Sequence, residues 1–209
     1  MNAEHLRAEF WNALTHGAGA VLSLIGGAVL VTLASLYGNG WQLTGAIVFS
    51  LSLIGLYTAS TLYHAVHEPK AKGRLKVLDH CMIYVLIAGS YTPFALIALR
   101  GDGGWLLFGT IWTLAAAGIV FKLFFTGRFE LLSTLVYLAM GWLVVFAAGP
   151  MLRHVGTTEL VWLGIGGLFY SLGTVFYLWE RLRHNHAIWH GFVLAGSASH
   201  FVAISYLVL

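Results

Sequence analysis

Three histidines fall within HNHAIWH at residues 184–190, and two of them, His186 and His190, stand four residues apart. On a helix that spacing puts both imidazoles on one face, one turn apart. A third, His64, ends the stretch ASTLYH, where Ser60 precedes it by four residues and shares its face. Three neutral imidazole nitrogens drawn from two helices suit a tetrahedral zinc ion and leave its fourth position open to water. Such an ion brings the pKa of the water toward neutrality and makes it a nucleophile. A purely structural zinc would more often be closed by a fourth residue, commonly cysteine. Each histidine taken alone can also be read as an interfacial residue bonded to backbone or headgroups.

Asp79, in LDHCMIY, admits two readings. It caps the N-terminus of a membrane span, where the helix dipole favours a negative charge, or it accepts a hydrogen bond from a zinc-bound water or a ligating imidazole. In the second role it can serve as general base. Ser60 likewise either bonds its own helix backbone or holds the same water or a substrate carbonyl. His80 and Cys81 are turned about 100° and 200° from Asp79 and are expected to face elsewhere.

The elements that must position these groups are read from hydropathy. The chain has 209 residues, 59% hydrophobic and 9% charged, with mean hydropathy +0.82. Soluble domains carry about a quarter charged residues, so most of this chain belongs in lipid. Seven apolar stretches run roughly over 14–36, 43–65, 78–99, 105–125, 131–152, 159–179 and 187–208. Each is long enough to span a bilayer as a helix, and none alternates with the period of two that a barrel needs. The fold class is an all-α integral membrane protein, a bundle of seven transmembrane helices in one domain. Short connections such as GNGWQ, HEPKAKGRLK and RGDGG separate the spans. The polar start, MNAEHLRAEF, does not look like a cleavable signal. The single cysteine rules out an internal disulfide and a thiolate-rich metal site.

Lys and Arg set the expected orientation. With a cytoplasmic N-terminus, Arg7, Lys70, Lys72, Arg74, Lys76, Lys122, Arg128, Arg181 and Arg183 lie inside, against Arg100 and Arg153 outside, nine to two. This positive-inside bias accounts for the basic residues, so the net charge of +3 gives no case for nucleic acid. The C-terminus then lies on the opposite side. The end of the second span and the starts of the third and seventh share the cytoplasmic level, which brings His64, Asp79, His186 and His190 to one depth. That shared depth favours the metal over three independent interfacial histidines.

Other residues take lesser roles. Glu9, Asn12 and His16 share one face of the first span and are expected to form a hydrogen-bonded cluster that braces the site. His200, fourteen residues beyond His186, lies about 21 Å deeper, a spacing that could serve haem, but no second span offers a matching pair. His200 is therefore expected to bond a neighbouring helix or line a cavity. Pro93 should kink the third helix, and Trp41, Trp105 and Trp179 read as interface anchors.

ASTLYHAVH, LDHCMIYVLIAGSYTPF, YLAMGW and NHAIWHGFVLAGSASHF together resemble the bacterial haemolysin III family, over essentially the whole chain. That family belongs with the progestin and adiponectin receptors and the alkaline ceramidases. The resemblance implies a seven-helix bundle with an intramembrane zinc near the cytoplasmic face. It implies His64, His186 and His190 as ligands, Ser60 and Asp79 as contacts of the metal's water, and Glu9, Asn12 and His16 as the first helix's motif. The long cytoplasmic extension of the receptor branch has no counterpart here, so recognition of a protein hormone does not carry over.

The expected function is a zinc-dependent hydrolase of a lipid amide or ester, multi-pass in the bacterial cytoplasmic membrane, with a membrane lipid as substrate. The alternatives are a non-catalytic lipid-sensing receptor or homeostasis protein braced by zinc, and a pore, which nothing in these residues explains.

Overall fold

The computed structural model describes residues 3–209. It is all helix, with no strand among the described residues, and seven helical stretches are long and apolar enough to cross a membrane. The elements are α1 (Ala3–Tyr37), α2 (Gly40–Ala65), α3 (Pro69–Pro93), α4 (Gly104–Phe125), α5 (Glu130–Gly141), α6 (Ala148–His154), α7 (Thr157–Leu178) and α8 (Asn185–Val208). The third span continues past α3 through a π-helical turn, Phe94–Ala98, and the fifth joins α5 to α6 through a 3₁₀ segment, Leu143–Ala147.

Local sequence explains the helix starts. In GNGWQ, Asn39 Oδ1 accepts from the backbone N–H groups of Trp41 (2.9 Å) and Gln42 (3.2 Å), and Gln42 Oε1 accepts from Asn39 N (2.8 Å). This reciprocal box satisfies the orphan donors of α2. At α3, Pro69 takes the first helical position and the Glu68 carboxylate accepts from Lys70 N (3.0 Å) and Ala71 N (2.6 Å). These amide donors hold the exposed Glu68 carboxyl below the usual carboxylate range. The connection HEPKAKGRLK is therefore mostly helix, and α3 begins nine residues before the apolar run at 78–99. Likewise α1 begins at Ala3, eleven residues before the run at 14–36. At 35 residues, α1 is about 52 Å long, well over the roughly 30 Å of a hydrocarbon core.

At Pro93, where the sequence leads one to expect a kink, α3 gives way to a π-helical turn that widens the helix by one residue. Leu99 N donates to Phe94 O at 3.0 Å, an i→i+5 bond that marks this π-helical turn just after the proline. The fifth span breaks outright after Gly141. Tyr91 repairs the break from α3: its hydroxyl lies 2.9 and 2.8 Å from the carbonyls of Met140 and Gly141 and accepts from Val144 N at 2.9 Å. Backbone groups freed within a membrane need such partners, since lipid offers none.

The third span forms the axis of the bundle: 67% of its apolar window is buried, against 17% for the fifth and sixth spans. The outer helices present Leu, Val and Phe side chains that a membrane would cover. Helix α1 packs on α2 and α8 through an inward stripe running from Glu9, Asn12 and His16 to Gly19, Ser23, Gly27, Leu30 and Ala34. A Cβ at Gly27 would lie 2.9 Å from Ser50 Cβ, so the glycine sets how closely α1 and α2 approach.

Candidate metal centre

The up-and-down path of the chain brings the first half of α1, the last turn of α2, the first half of α3, the last turn of α4, and the starts of α5 and α8 to one end of the bundle. The structure gathers His64, His186 and His190 there, with one ring nitrogen from each within 4.8 Å of the others. Ring centroids are 5.1 Å apart for His64 and His186, 5.2 Å for His64 and His190, and 4.6 Å for His186 and His190. Nitrogens bound tetrahedrally to one zinc at about 2.0–2.1 Å would be about 3.4 Å apart, so small side-chain rotations close the remaining gap.

The surroundings of each ring test whether the residues fit a metal. His64 Nδ1 lies 3.1 Å from Glu9 Oε2 and 3.5 Å from Asn12 Nδ2. Its Nε2 is buried with no hydrogen-bond partner. A buried imidazole nitrogen without a partner is costly, and a coordination bond would remove that cost. His190 Nδ1 donates to Asn12 O at 3.2 Å, with Thr15 Oγ1 3.1 Å away, which fixes the ring and leaves Nε2 for a ligand. His16 stacks flat on His190, centroids 3.4 Å apart and planes within 10°, which fixes the plane of that ring. The donor set fits one divalent ion, with the His64 and His190 imidazoles oriented from behind.

Glu9, Asn12 and His16 share a face as the spacing requires, but among the described residues no hydrogen bond joins them to one another. Each instead reaches a ligand-type histidine on another helix. Lys72 completes the brace: its Nζ donates to Glu9 Oε2 (2.8 Å) and to the carbonyl of Tyr63 (2.9 Å) at the end of α2. Thus one ammonium ties α1, α2 and α3 together directly behind His64.

Asp79 lies ten residues past the first residue of α3, too far in to cap it, and Glu68 takes that role. The Asp79 carboxylate is 7% exposed and lies beside the Ser60 hydroxyl and His80. His80 Nδ1 is 3.3 Å from Asp79 Oδ2, so His80 faces the site that its helical angle seemed to exclude. The side chain bends back over the adjacent residue, which an angle measured at Cα does not capture. Cys81 points instead at α4, its Sγ 3.9 Å from Ile119 O.

Ser60, Asp79, His80, His186 and His190 all line a cavity of about 410 Å³ that runs into the bundle between α2, α3, α5, α7 and α8. That volume is within the range of small-molecule sites, and the walls away from the polar end are apolar. His200 lines the deeper part, where its ring meets Tyr170 edge-on at 5.3 Å.

Comparison with known proteins settles the family. The family model described as haemolysin-III related matches residues 4–201. The chain belongs to the haemolysin-III-related family. It is 46% identical over 206 residues to hemolysin-3 of Bacillus cereus, covering 99% of this chain and 94% of that one. It is 45% identical over 199 residues to the hemolysin-3 homolog of Bacillus subtilis (strain 168), covering 95% and 93%. A more distant relative is the human monocyte to macrophage differentiation factor, 30% identical over 201 residues and covering 92% and 81%. This haemolysin-III-related chain is accordingly a multi-pass cell-membrane protein.

Two residues of the site were assigned only to topology in the sequence. Lys72 reads as part of a connection, although the Glu-Pro pair just before it marks a helix start. Lys122 reads as a boundary charge. The signal for an inward position is the stripe Leu107, Ile111, Ala115, Gly118, Lys122, spaced by three or four along α4 and buried throughout.

Proposed function

We propose that this haemolysin-III-related protein is a zinc-dependent hydrolase of lipid amides or esters. The observation that carries the reading is the convergence of His64 with His186 and His190, the latter two lining the polar end of an apolar cavity that also presents Ser60 and Asp79. Zinc, held by the three imidazoles, would supply Lewis acidity and a reactive water at neutral pH. The protein's own groups do the rest. Asp79 takes a proton from the attacking water and returns it to the leaving amine or alcohol. Ser60, beside that carboxylate, orients the water or the carbonyl. The acyl chain lies along the apolar wall, and Glu9 and Asn12 hold the rings of His64 and His190. The positive-inside bias of the basic residues supports a cytoplasmic position for this end.

The test is turnover of a panel of acyl amides and esters by purified protein. Release of fatty acid that stops on chelation and resumes with zinc supports the reading. No release from any of them, with zinc bound, favours a lipid-sensing protein in which the metal braces α1, α2 and α8.

A further inference from the structure

Lys122 closes the inward stripe of α4 and is 1% exposed. Its Nζ donates to Ser133 Oγ at 2.6 Å and stands 5.9 Å from the Tyr137 ring centroid. Among the described residues, no carboxylate lies within ion-pairing distance of it. Glu130, the acid in electrostatic range, borders the same cavity but is itself exposed and does not reach the ammonium, and Lys76 adds a second positive charge nearby. A lysine near a helix end ordinarily extends to the headgroups and water. This one turns inward and lines the same cavity as Ser60, Asp79 and His186. An ammonium out of water is costly unless an anion meets it.

A continuous wall joins Lys122 to the candidate centre. The Tyr137 hydroxyl donates to His80 O at 3.2 Å, and His80 Nδ1 is 3.3 Å from Asp79 Oδ2. The cation and the reacting groups therefore share the polar end, while Ile83, Leu86, Ile87, Leu163 and Val193 wall the apolar part.

We propose that Lys122 anchors an anionic group on the amine side of the substrate, so that the cavity selects acyl amides bearing a carboxylate or phosphate, such as N-acyl amino acids, over neutral ones. The inference rests on the hydrolase reading above and names its substrate class. With the acyl chain in the apolar part and the anion on Lys122, the scissile carbonyl lies between them, beside Asp79 and Ser60. Water oxygen bonds to the acyl carbon, the C–N bond breaks, and both of the water's protons end on the leaving nitrogen, giving a fatty carboxylate and the ammonium form of the amine, a zwitterionic amino acid when the anion is a carboxylate.

The test is binding to the intact, detergent-purified protein, read by calorimetry without turnover. The probes are N-oleoylglycine, N-oleoylethanolamine, which replaces the carboxylate by a hydroxymethyl group, and the phosphate ester of the latter. The acid or the phosphate should bind roughly 10- to 100-fold more tightly than the alcohol, the worth of a hydrogen bond to a charged partner; whichever does so identifies the anion. Lys122→Met should abolish that preference and leave the alcohol's affinity unchanged. Lys122→Arg should keep it, as should Ser133→Ala, which removes the tie between α4 and α5 but not the cation. Equal binding of all three probes by the wild type overturns the proposal, whatever the folding of the variants. A preference that survives in Lys122→Met overturns it as well. Binding preference without hydrolysis would reject the enzyme and keep the anchor.

Discussion

Glu9 on α1 and His64 on α2 meet at 3.1 Å, carboxylate oxygen to Nδ1, and the same oxygen holds Lys72 at 2.8 Å. An acid, a ring and an ammonium from three helices thus fix which nitrogen of His64 is free. The arrangement is a carboxylate–histidine pair of the kind that orients metal ligands and raises their basicity.

Glu9→Gln should weaken metal affinity about 10- to 100-fold, the usual cost of losing such a partner, without changing helix content. Lys72→Met should act in the same direction, because the carboxylate loses the group that holds it. Competitive titration with a zinc indicator measures both. Unchanged affinity in both variants would show that the contact is structural alone.

Asp79→Asn should keep the metal and lose turnover by about 10²–10⁴-fold, as expected of a general base. Ser60→Ala should lose less, since it removes an orienting hydroxyl and no proton acceptor. The comparison requires zinc content and rate on the same preparation. Loss of zinc in Asp79→Asn would make the aspartate a ligand-side residue.

Tyr91→Phe should lower the thermal stability of the detergent-solubilised protein by about 1–3 kcal/mol, the cost of leaving buried polar groups unsatisfied. The Val144 N–H and the Gly141 carbonyl lose their partner at the break in the fifth span. A melting curve monitored by tryptophan fluorescence reads the effect.

At the opposite end, the loop before α4 is clasped to α6. Asp102 Oδ2 accepts from Arg153 Nη2 (2.7 Å) and Nε (3.2 Å) and lies 3.0 Å from His154 Nε2. Arg153 and His154 hold the Asp102 carboxyl below its ordinary value of 3.8. A lowered folded-state pKa means that the clasp contributes above that ordinary value and is lost as pH falls below it. The difference in melting temperature between wild type and Asp102→Asn should therefore be steady at neutral pH and vanish in stronger acid. Solvent screening of these partly exposed side chains keeps the difference small.

The seven spans and the common level of His64, Asp79, His186 and His190 were legible because long apolar runs and a basic-residue asymmetry carry depth directly. Hydropathy hides helix that continues into polar sequence, which is why the starts of α1 and α3, and with them Lys72, went unread. Helical angles place Cα–Cβ bonds but not the ends of side chains, so His80 was misassigned. Lys122 was legible in principle from the buried spacing of α4, and a charge count alone obscures it. The way Glu9 and Asn12 cross to other helices depends on which helices pack together, and one chain's spacing does not contain that.

The most direct test of the central claim is the zinc content of protein purified without added metal, determined by elemental analysis for the wild type and for His64→Ala, His186→Ala and His190→Ala. The account expects about one zinc per chain in the wild type, as a three-histidine site holds one ion, and a large loss in every variant. Metal-free wild type that takes up none on dialysis against zinc, or variants that keep a full equivalent, would contradict it.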